Sequence, residues 1–218
     1  MNKVLAVWKP TNISSFDVIR KIKSYNKSLK IGHCGTLDPF AEGVLIICIG
    51  SFTKKVDYYM SQSKKYIASI IFGKETDTLD LTGRFIKSTN PLKNIKLADI
   101  ELIMNNFIGT TPQIPPYFSA KKINNIKMYE FARNDIFIRA KPVDVHIPNI
   151  RIIDFCNNIL TLDIECSKGT YIRSLARDIA YSLDTYGYLS SLARISIGDF
   201  NEKNSIKFKD LEKCMFIN

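Results

Sequence analysis

Six consecutive apolar residues, Val44-Leu45-Ile46-Ile47-Cys48-Ile49, follow directly on a stretch built for tight backbone geometry, Lys30 to Val44, KIGHCGTLDPFAEGV. The run reads as a buried strand. Ahead of it, Gly32 and Gly35 permit positive φ or close approach of a ligand to the backbone. Pro39 pushes Asp38 toward extended backbone and restricts where its carboxylate can point, and Thr36 adds a hydroxyl. A carboxylate on a stiff loop beside a buried strand suits a catalytic group. Spacing alone equally allows a turn-forming aspartate that caps its own backbone, and that is the commoner case.

The rest of the chain reads as alternating strands and helices. Val4 to Trp8 suits a strand, and Ser14 with Asp17 three residues on caps a helix whose apolar stripe is Phe16, Ile19 and Ile22. Phe52 to Met60 suits a short helix, Tyr66 to Gly73 a strand, and Ala98 to Phe107 a helix. Leu160, Leu162, Ile164 and Cys166 alternate with Thr161, Asp163 and Glu165, a half-buried strand. Ile172, Leu175, Ile179 and Leu183 mark one face of the next helix. The expected class is α+β with mainly antiparallel pairing. Residues 109–144 differ in character. Pro112, Pro115 and Pro116 stiffen the start, Asn124-Asn125 mark a turn, and six Lys or Arg alternate with Tyr117, Phe118, Tyr129, Phe131 and Phe137. That interleaving suits a nucleic-acid clamp as well as a loop and helix with inward-packed rings.

With 218 residues the chain is long enough for a full core, and no repeat or low-complexity linker divides it. A formal net charge of +10 points to a polyanionic partner. No apolar run approaches the roughly 18–20 residues of a membrane span, and the dispersed basic residues favour RNA over lipid. The five cysteines (34, 48, 156, 166 and 214) form no CxxC pair and there are two histidines, which argues against a zinc site. An odd cysteine count suits a reducing cytosol, and a first motif at Trp8-Lys9 leaves no room for a targeting sequence, so a cytoplasmic location is expected. Neither a P-loop nor a dinucleotide fingerprint is present, so no nucleotide cofactor is expected. Cys34 beside His33 raises a thiol nucleophile as a minor alternative.

GHCGTLDPFAEGVL resembles the signature loop of the TruB-type tRNA pseudouridine synthases. Four more segments agree in order: Lys9-Pro10-Thr11-Asn12-Ile13-Ser14-Ser15; Lys65-Tyr66 leading to Phe72-Gly73 and Thr76-Asp77-Thr78-Leu79-Asp80; Pro112 to Lys121, similar to the family's mobile loop; and Lys168 to Asp178, similar to its arginine motif. Five ordered motifs spread from Lys9 to Arg194 are far more specific than one short pattern. The resemblance implies the pseudouridine synthase fold: one catalytic domain over 1–218, with a long mixed sheet flanked by helices and a thumb-like insertion at about 109–144.

The implied activity is isomerisation of the T-loop uridine of tRNA, position 55, by base flipping, with no cofactor and no metal. The implied partner is tRNA through its T-arm, with no membrane and no obligatory protein partner; a monomer is expected. Asp38 would be the catalytic carboxylate, Arg173 would pair with it, and Tyr66 would stack on the uracil and serve the C5 proton. His33 would bind around the flipped base. Lys9, Lys65 and Arg177 would contact phosphate or support strand and helix ends, Lys121 and Tyr171 would bind substrate, and Leu192 would line the uracil pocket. His146 is expected on the polar face of a strand without a role.

Three departures from the family pattern stand out. Asn12 and Asn125 replace glycines, and asparagine tolerates positive φ. Glu42 replaces a small hydroxylated residue. Only 18 residues follow Phe200, so the family's C-terminal PUA domain is expected to be absent, with contacts concentrated on the T-arm. Two alternatives differ in class: a non-catalytic tRNA-binding or folding chaperone of the same fold, and a related synthase acting on other RNAs.

Overall fold

The computed structural model describes residues 2–89 and 95–215, and in it the apolar run lies in a strand covered on both faces. The chain opens with β1 (Lys3–Lys9), α1 (Ser15–Tyr25), β2 (Ile31–His33), β3 (Glu42–Ile49), α2 (Val56–Ser61) and β4 (Lys64–Phe72). β3 pairs antiparallel with β1 from Lys9 opposite Gly43 to Lys3 opposite Ile49. On one face, Leu5, Val7, Leu45, Ile47 and Ile49 pack with Val18, Ile19 and Ile22 of α1. On the other, Ala6, Val44, Ile46 and Cys48 pack with Cys34 and Ile197. Burial on both sides is why the run carries no polar residue. Each of these fully covered aliphatic side chains contributes roughly 1.5–3 kcal/mol of transfer free energy.

α1 starts as expected. The Asp17 N–H donates to Ser14 Oγ at 3.2 Å and the Ser14 N–H to Asp17 Oδ2 at 2.8 Å. Of the expected stripe Phe16, Ile19 and Ile22, the two isoleucines face the core and the phenylalanine does not. Ser15, Val18, Ile19 and Ile22 are buried, whereas Phe16 is 58% exposed with the Arg20 guanidinium over its ring. The inward register is i, i+3, i+4, i+7 counted from Ser15, and a polar residue in its first place hid it.

The chain continues with β5 (Lys74–Thr76), β6 (Phe85–Ser88), α3 (Leu97–Asn105), β7 (Gly109–Gln113), β8 (Lys122–Ile123), β9 (Ile126–Lys127), α4 (Met128–Ala132), β10 (Val143–Ile147), β11 (Asn149–Cys156), β12 (Ile159–Cys166), α5 (Ile172–Ser182) and β13 (Gly187–Ile197). It closes with β14 (Phe200–Asn201), β15 (Ile206–Lys207) and α6 (Leu211–Met215). Two units result, one from Met1–Ile67 with Leu192–Asn218, the other from Ala68–Ser191. The first contains the strand order β13-β3-β1-β15, with β2 on β3 and β14 on β13; the second contains β11-β12-β4-β13. β1–β15 and β13–β3 are parallel, and β1–β3, β2–β3 and β11–β12 antiparallel. This is an α+β fold built on a large mixed sheet with flanking helices.

The alternation along β12 is borne out, with Leu160, Leu162, Ile164 and Cys166 buried, as is the α5 face of Ile172, Leu175, Ile179 and Leu183. Residues 109–144 are more than a loop. β7 pairs antiparallel with β10, from Gly109 opposite Ile147 to Gln113 opposite Val143, so the frame reaches past 144. Inside it, β8 and β9 form a hairpin turned by Asn124 and Asn125, both at positive φ. His146 is exposed on β10, its Nδ1 3.1 Å from Thr110 Oγ1.

Candidate active site

In the first unit, Asp38 is half-buried in the irregular segment between β2 and β3, and that segment is held almost entirely through its carbonyls. Lys9, fully buried, donates from Nζ to Ala41 O at 2.6 Å, to Pro10 O and Ile13 O at 2.8 Å each, and to Pro39 O at 3.3 Å. The three short contacts match the three N–H of an ammonium. Arg194, also buried, donates from Nε to Val44 O at 2.8 Å, from Nη2 to Gly35 O at 3.2 Å and from Nη1 to Thr36 O at 3.4 Å. The Ser15 hydroxyl accepts from the Leu37 N–H at 2.9 Å and donates to the Leu37 carbonyl at 3.1 Å. Two glycines complete the geometry. Gly35 sits at φ +93°. Gly43, at φ +120°, faces the Arg194 backbone so closely that a Cβ would overlap Arg194 O.

Burial lowers the Lys9 pKa to about 8, against the pull of the Asp38 charge; Arg194 adds to the lowering and Glu42 opposes it. His33, half-buried at the end of β2, is pushed below the ordinary imidazole value by burial and then by Arg194, so it is neutral at pH 7. Its Nδ1 is buried without a hydrogen-bond partner. Cys34 is fully buried, its Sγ 3.5 Å from Cys48 Sγ. Burial drives its thiol pKa far up, which removes the thiol-nucleophile alternative. Tyr66 is buried on β4 and Lys65 exposed on the strand's opposite face; Leu192 is buried on β13.

In the second unit, the start of α5 carries Arg173, 5% exposed, so the solvent-facing role open to a helical arginine does not apply. Nη1 donates to Thr78 O at 2.8 Å and Nη2 to Phe118 O at 2.9 Å, and Nη1 lies 3.6 Å from Asp80 Oδ2. Asp80 is itself buried. Its Oδ1 accepts from Thr78 Oγ1 at 2.8 Å, from the Thr82 N–H at 2.9 Å and from Thr82 Oγ1 at 2.5 Å. Between them Leu79 takes φ +62°, a costly conformation for a leucine. Gln113 Oε1 accepts the Tyr171 N–H at 2.8 Å. Arg177 donates to Ile114 O at 3.1 Å and pairs with Asp178 at 2.8 Å, where burial raises the Asp178 pKa against the pull of Arg177.

The sequence-derived candidates thus fall into two groups. Lys9 joins the Asp38 loop; of the roles open to it, its complete burial supports clamping and not phosphate contact. Tyr171, Arg173 and Arg177 gather at the first turns of α5. Lys121 stands apart from them, donating to Lys141 O at 3.3 Å. Ser15, Asp80, Gln113 and Arg194 were given no role beforehand, although Ser15, Asp80 and Gln113, like Gly43, stand inside quoted motifs. A hydroxyl or carboxylate inside a motif was the available signal; its partner was not.

Residues 20–172 match the family model described as TruB family pseudouridylate synthase (N terminal domain). A protein of Borreliella afzelii named tRNA pseudouridine synthase B is 42% identical over 218 residues, covering 99% of this chain and 77% of its own. A protein of the same name from Clostridium acetobutylicum is 42% identical over 213 residues, covering 98% and 73%. Among solved structures, a chain of "Crystal Structure of a Cbf5-Nop10-Gar1 Complex" superposes with a TM-score of 0.74 at 25% identity, covering 96% of this chain and 53% of that one. The present chain therefore spans about half of that solved chain.

Proposed function

The chain belongs to the TruB family of pseudouridylate synthases, and on that premise we propose that it isomerises uridine to pseudouridine in tRNA, at the T-loop uridine of position 55. The reaction detaches uracil from C1′, turns it, and rejoins it through C5, so atoms balance without redox or group donor. The stacked base must first leave the T-loop, at a cost of roughly a few kcal/mol.

Asp38 is the proposed reacting carboxylate, attacking C1′ or removing the C2′ proton. Arg173 is its proposed partner, since a planar fork keeps a carboxylate ionised and oriented better than an ammonium does. Asp80 then acts as a positioning residue for that fork. Tyr66 is proposed to stack on the uracil and to serve the C5 proton directly or through water, with Leu192 beside the base and neutral His33 near the site of flipping. Lys65, Lys121, Tyr171 and Arg177 are proposed to contact the RNA around it.

The observation that carries this reading is the construction of the Asp38 loop, in which two buried cations are committed to the carbonyls around one carboxylate. The experiment is Asp38→Asn with unmodified tRNA and pseudouridine mapping. The variant should make no product in a single turnover while binding RNA within a few-fold of wild type, because it loses the reacting group and little contact surface. Product above background in that variant would overturn the assignment.

A further inference from the structure

The second unit holds a cleft of about 710 Å³ whose lining includes Thr76, Tyr117, Phe137, Arg139 and Arg177 and none of Asp38, Tyr66 or Leu192. Most charges in its wall are already committed. Lys87 lies 2.7 Å from Glu75 and donates to Tyr181 at 2.8 Å, Arg177 pairs with Asp178, and Asp77 accepts from Arg84. Arg139 is exposed, and the described residues offer it neither a hydrogen bond nor an ion pair. Beside it, Tyr117 and Phe137 meet edge to face at 5.3 Å, 38% and 48% exposed. An edge-to-face pair leaves one ring with its faces open to stacking.

The wall is also held in shape. Ile114 O accepts from Ser174 Oγ at 2.8 Å and from Arg177, and Phe118 O accepts from Arg173, with Pro115-Pro116 between these tethers. A preformed site loses less ordering entropy when it binds. The volume falls within the roughly 300–1,000 Å³ of small-ligand sites, which suits one nucleotide and not a duplex. An aliphatic ligand would have no use for the arginine, and a bare anion none for the rings. An unstacked nucleotide uses both, its base on the aromatic face and its phosphate on the guanidinium.

We propose that this cleft binds one unstacked nucleotide of the RNA substrate, other than the uridine that is isomerised. The proposal rests on the reading of the substrate as RNA given above. Because Phe137 and Arg139 are both exposed, their substitution leaves the fold intact, which a thermal melt checks.

The test is fluorescence anisotropy with a fluorescein-labelled, unmodified T-arm hairpin at fixed salt, using Phe137→Ala, Phe137→Trp and Arg139→Ala. Phe137→Ala should weaken binding about fivefold to a hundredfold, the range for one stacked base, and Phe137→Trp should keep most of the affinity. Arg139→Ala should flatten the log K against log salt slope by about 0.7, one phosphate contact. Abasic substitutions along the loop then close a double-mutant cycle. The Phe137→Ala penalty should vanish at one position that is not the target uridine.

Alanine variants that bind within about twofold of wild type would overturn the proposal, as would a penalty that vanishes at the target uridine alone or at no position. If the wild type binds and the cycle closes but no pseudouridine forms, the cleft stands and the proposed activity falls. If the wild type binds neither hairpin nor tRNA, both fall.

Discussion

Lys9 shows how one buried charge ties stability and activity to pH in opposite senses. Its folded pKa of about 8 lies below the unfolded value near 10.5, so between those values the unfolded chain binds more protons. The cost of burying the ammonium is therefore present below about pH 8, and stability gains as pH rises through the window. Activity should move the other way, because a neutral amine has two N–H where the ammonium offers three, and the Asp38 loop loses a tether. The expected single-turnover rate falls above about pH 8; a rate flat to about pH 9.5 would remove the Lys9 charge from the account. Arg173→Lys should lose at least about tenfold in rate, roughly 1.4 kcal/mol, since one ammonium cannot reproduce the planar fork that spans Thr78 O and Phe118 O. Asp80→Asn should cost a similar factor with RNA affinity unchanged. A wild-type rate in Arg173→Lys would make Arg173 a structural residue. At this scale Asp38, Tyr66 and Arg173 were picked out by the resemblance of their motifs to the family, since spacing alone favoured plainer roles for all three. The sequence could not show that Lys9 points inward, because its four acceptors are main-chain atoms from two segments and a carbonyl leaves no trace in a sequence.

Among the elements, those whose two environments differ were the readable ones. β12 alternates because one face is covered, and β3 does not alternate because both are. The Ser14–Asp17 box announced α1 and Ile19 and Ile22 marked its inner face, but Phe16 was misplaced in the first turn, where Ser15 takes the core-facing position. The 109–144 segment defeated pattern reading for another reason: β8 and β9 are two residues each, too short for any period, and β7 finds its partner only beyond the hairpin. The parallel pairing of β3 with β13 was equally hidden, and its signature is Gly43 against Arg194. Gly43→Ala should therefore destabilise by roughly 2–4 kcal/mol, from strain at positive φ and from the Arg194 backbone it would meet. A lower urea midpoint with an unchanged m-value would show it. An alanine variant within about 0.5 kcal/mol of wild type would mean that β3 and β13 can part at no cost.

For the whole molecule, the net charge of +10 makes salt the natural probe. Affinity for tRNA should fall by about 0.7–0.9 log units per log unit of salt for each phosphate contacted, and a flat response would count against RNA as the partner. No described helix is long and apolar enough to cross a membrane. The division into two units was not legible, because the first is assembled from segments far apart in the chain and the crossings run inside β4 and β13, where the hydrophobic pattern is unbroken. The way the Asp38 loop is tied has a consequence for how such a protein can change. A carbonyl is the same in every amino acid, so a loop gripped by its carbonyls keeps those tethers whatever side chain is written at its outward positions, the glycines at positive φ and the buried residues aside. Thr36, exposed, and Glu42, half-exposed, can be rewritten without releasing a single tether. Glu42 is thus a letter the scaffold leaves free, and the same freedom makes these positions the natural ones to randomise in a search for altered substrate choice.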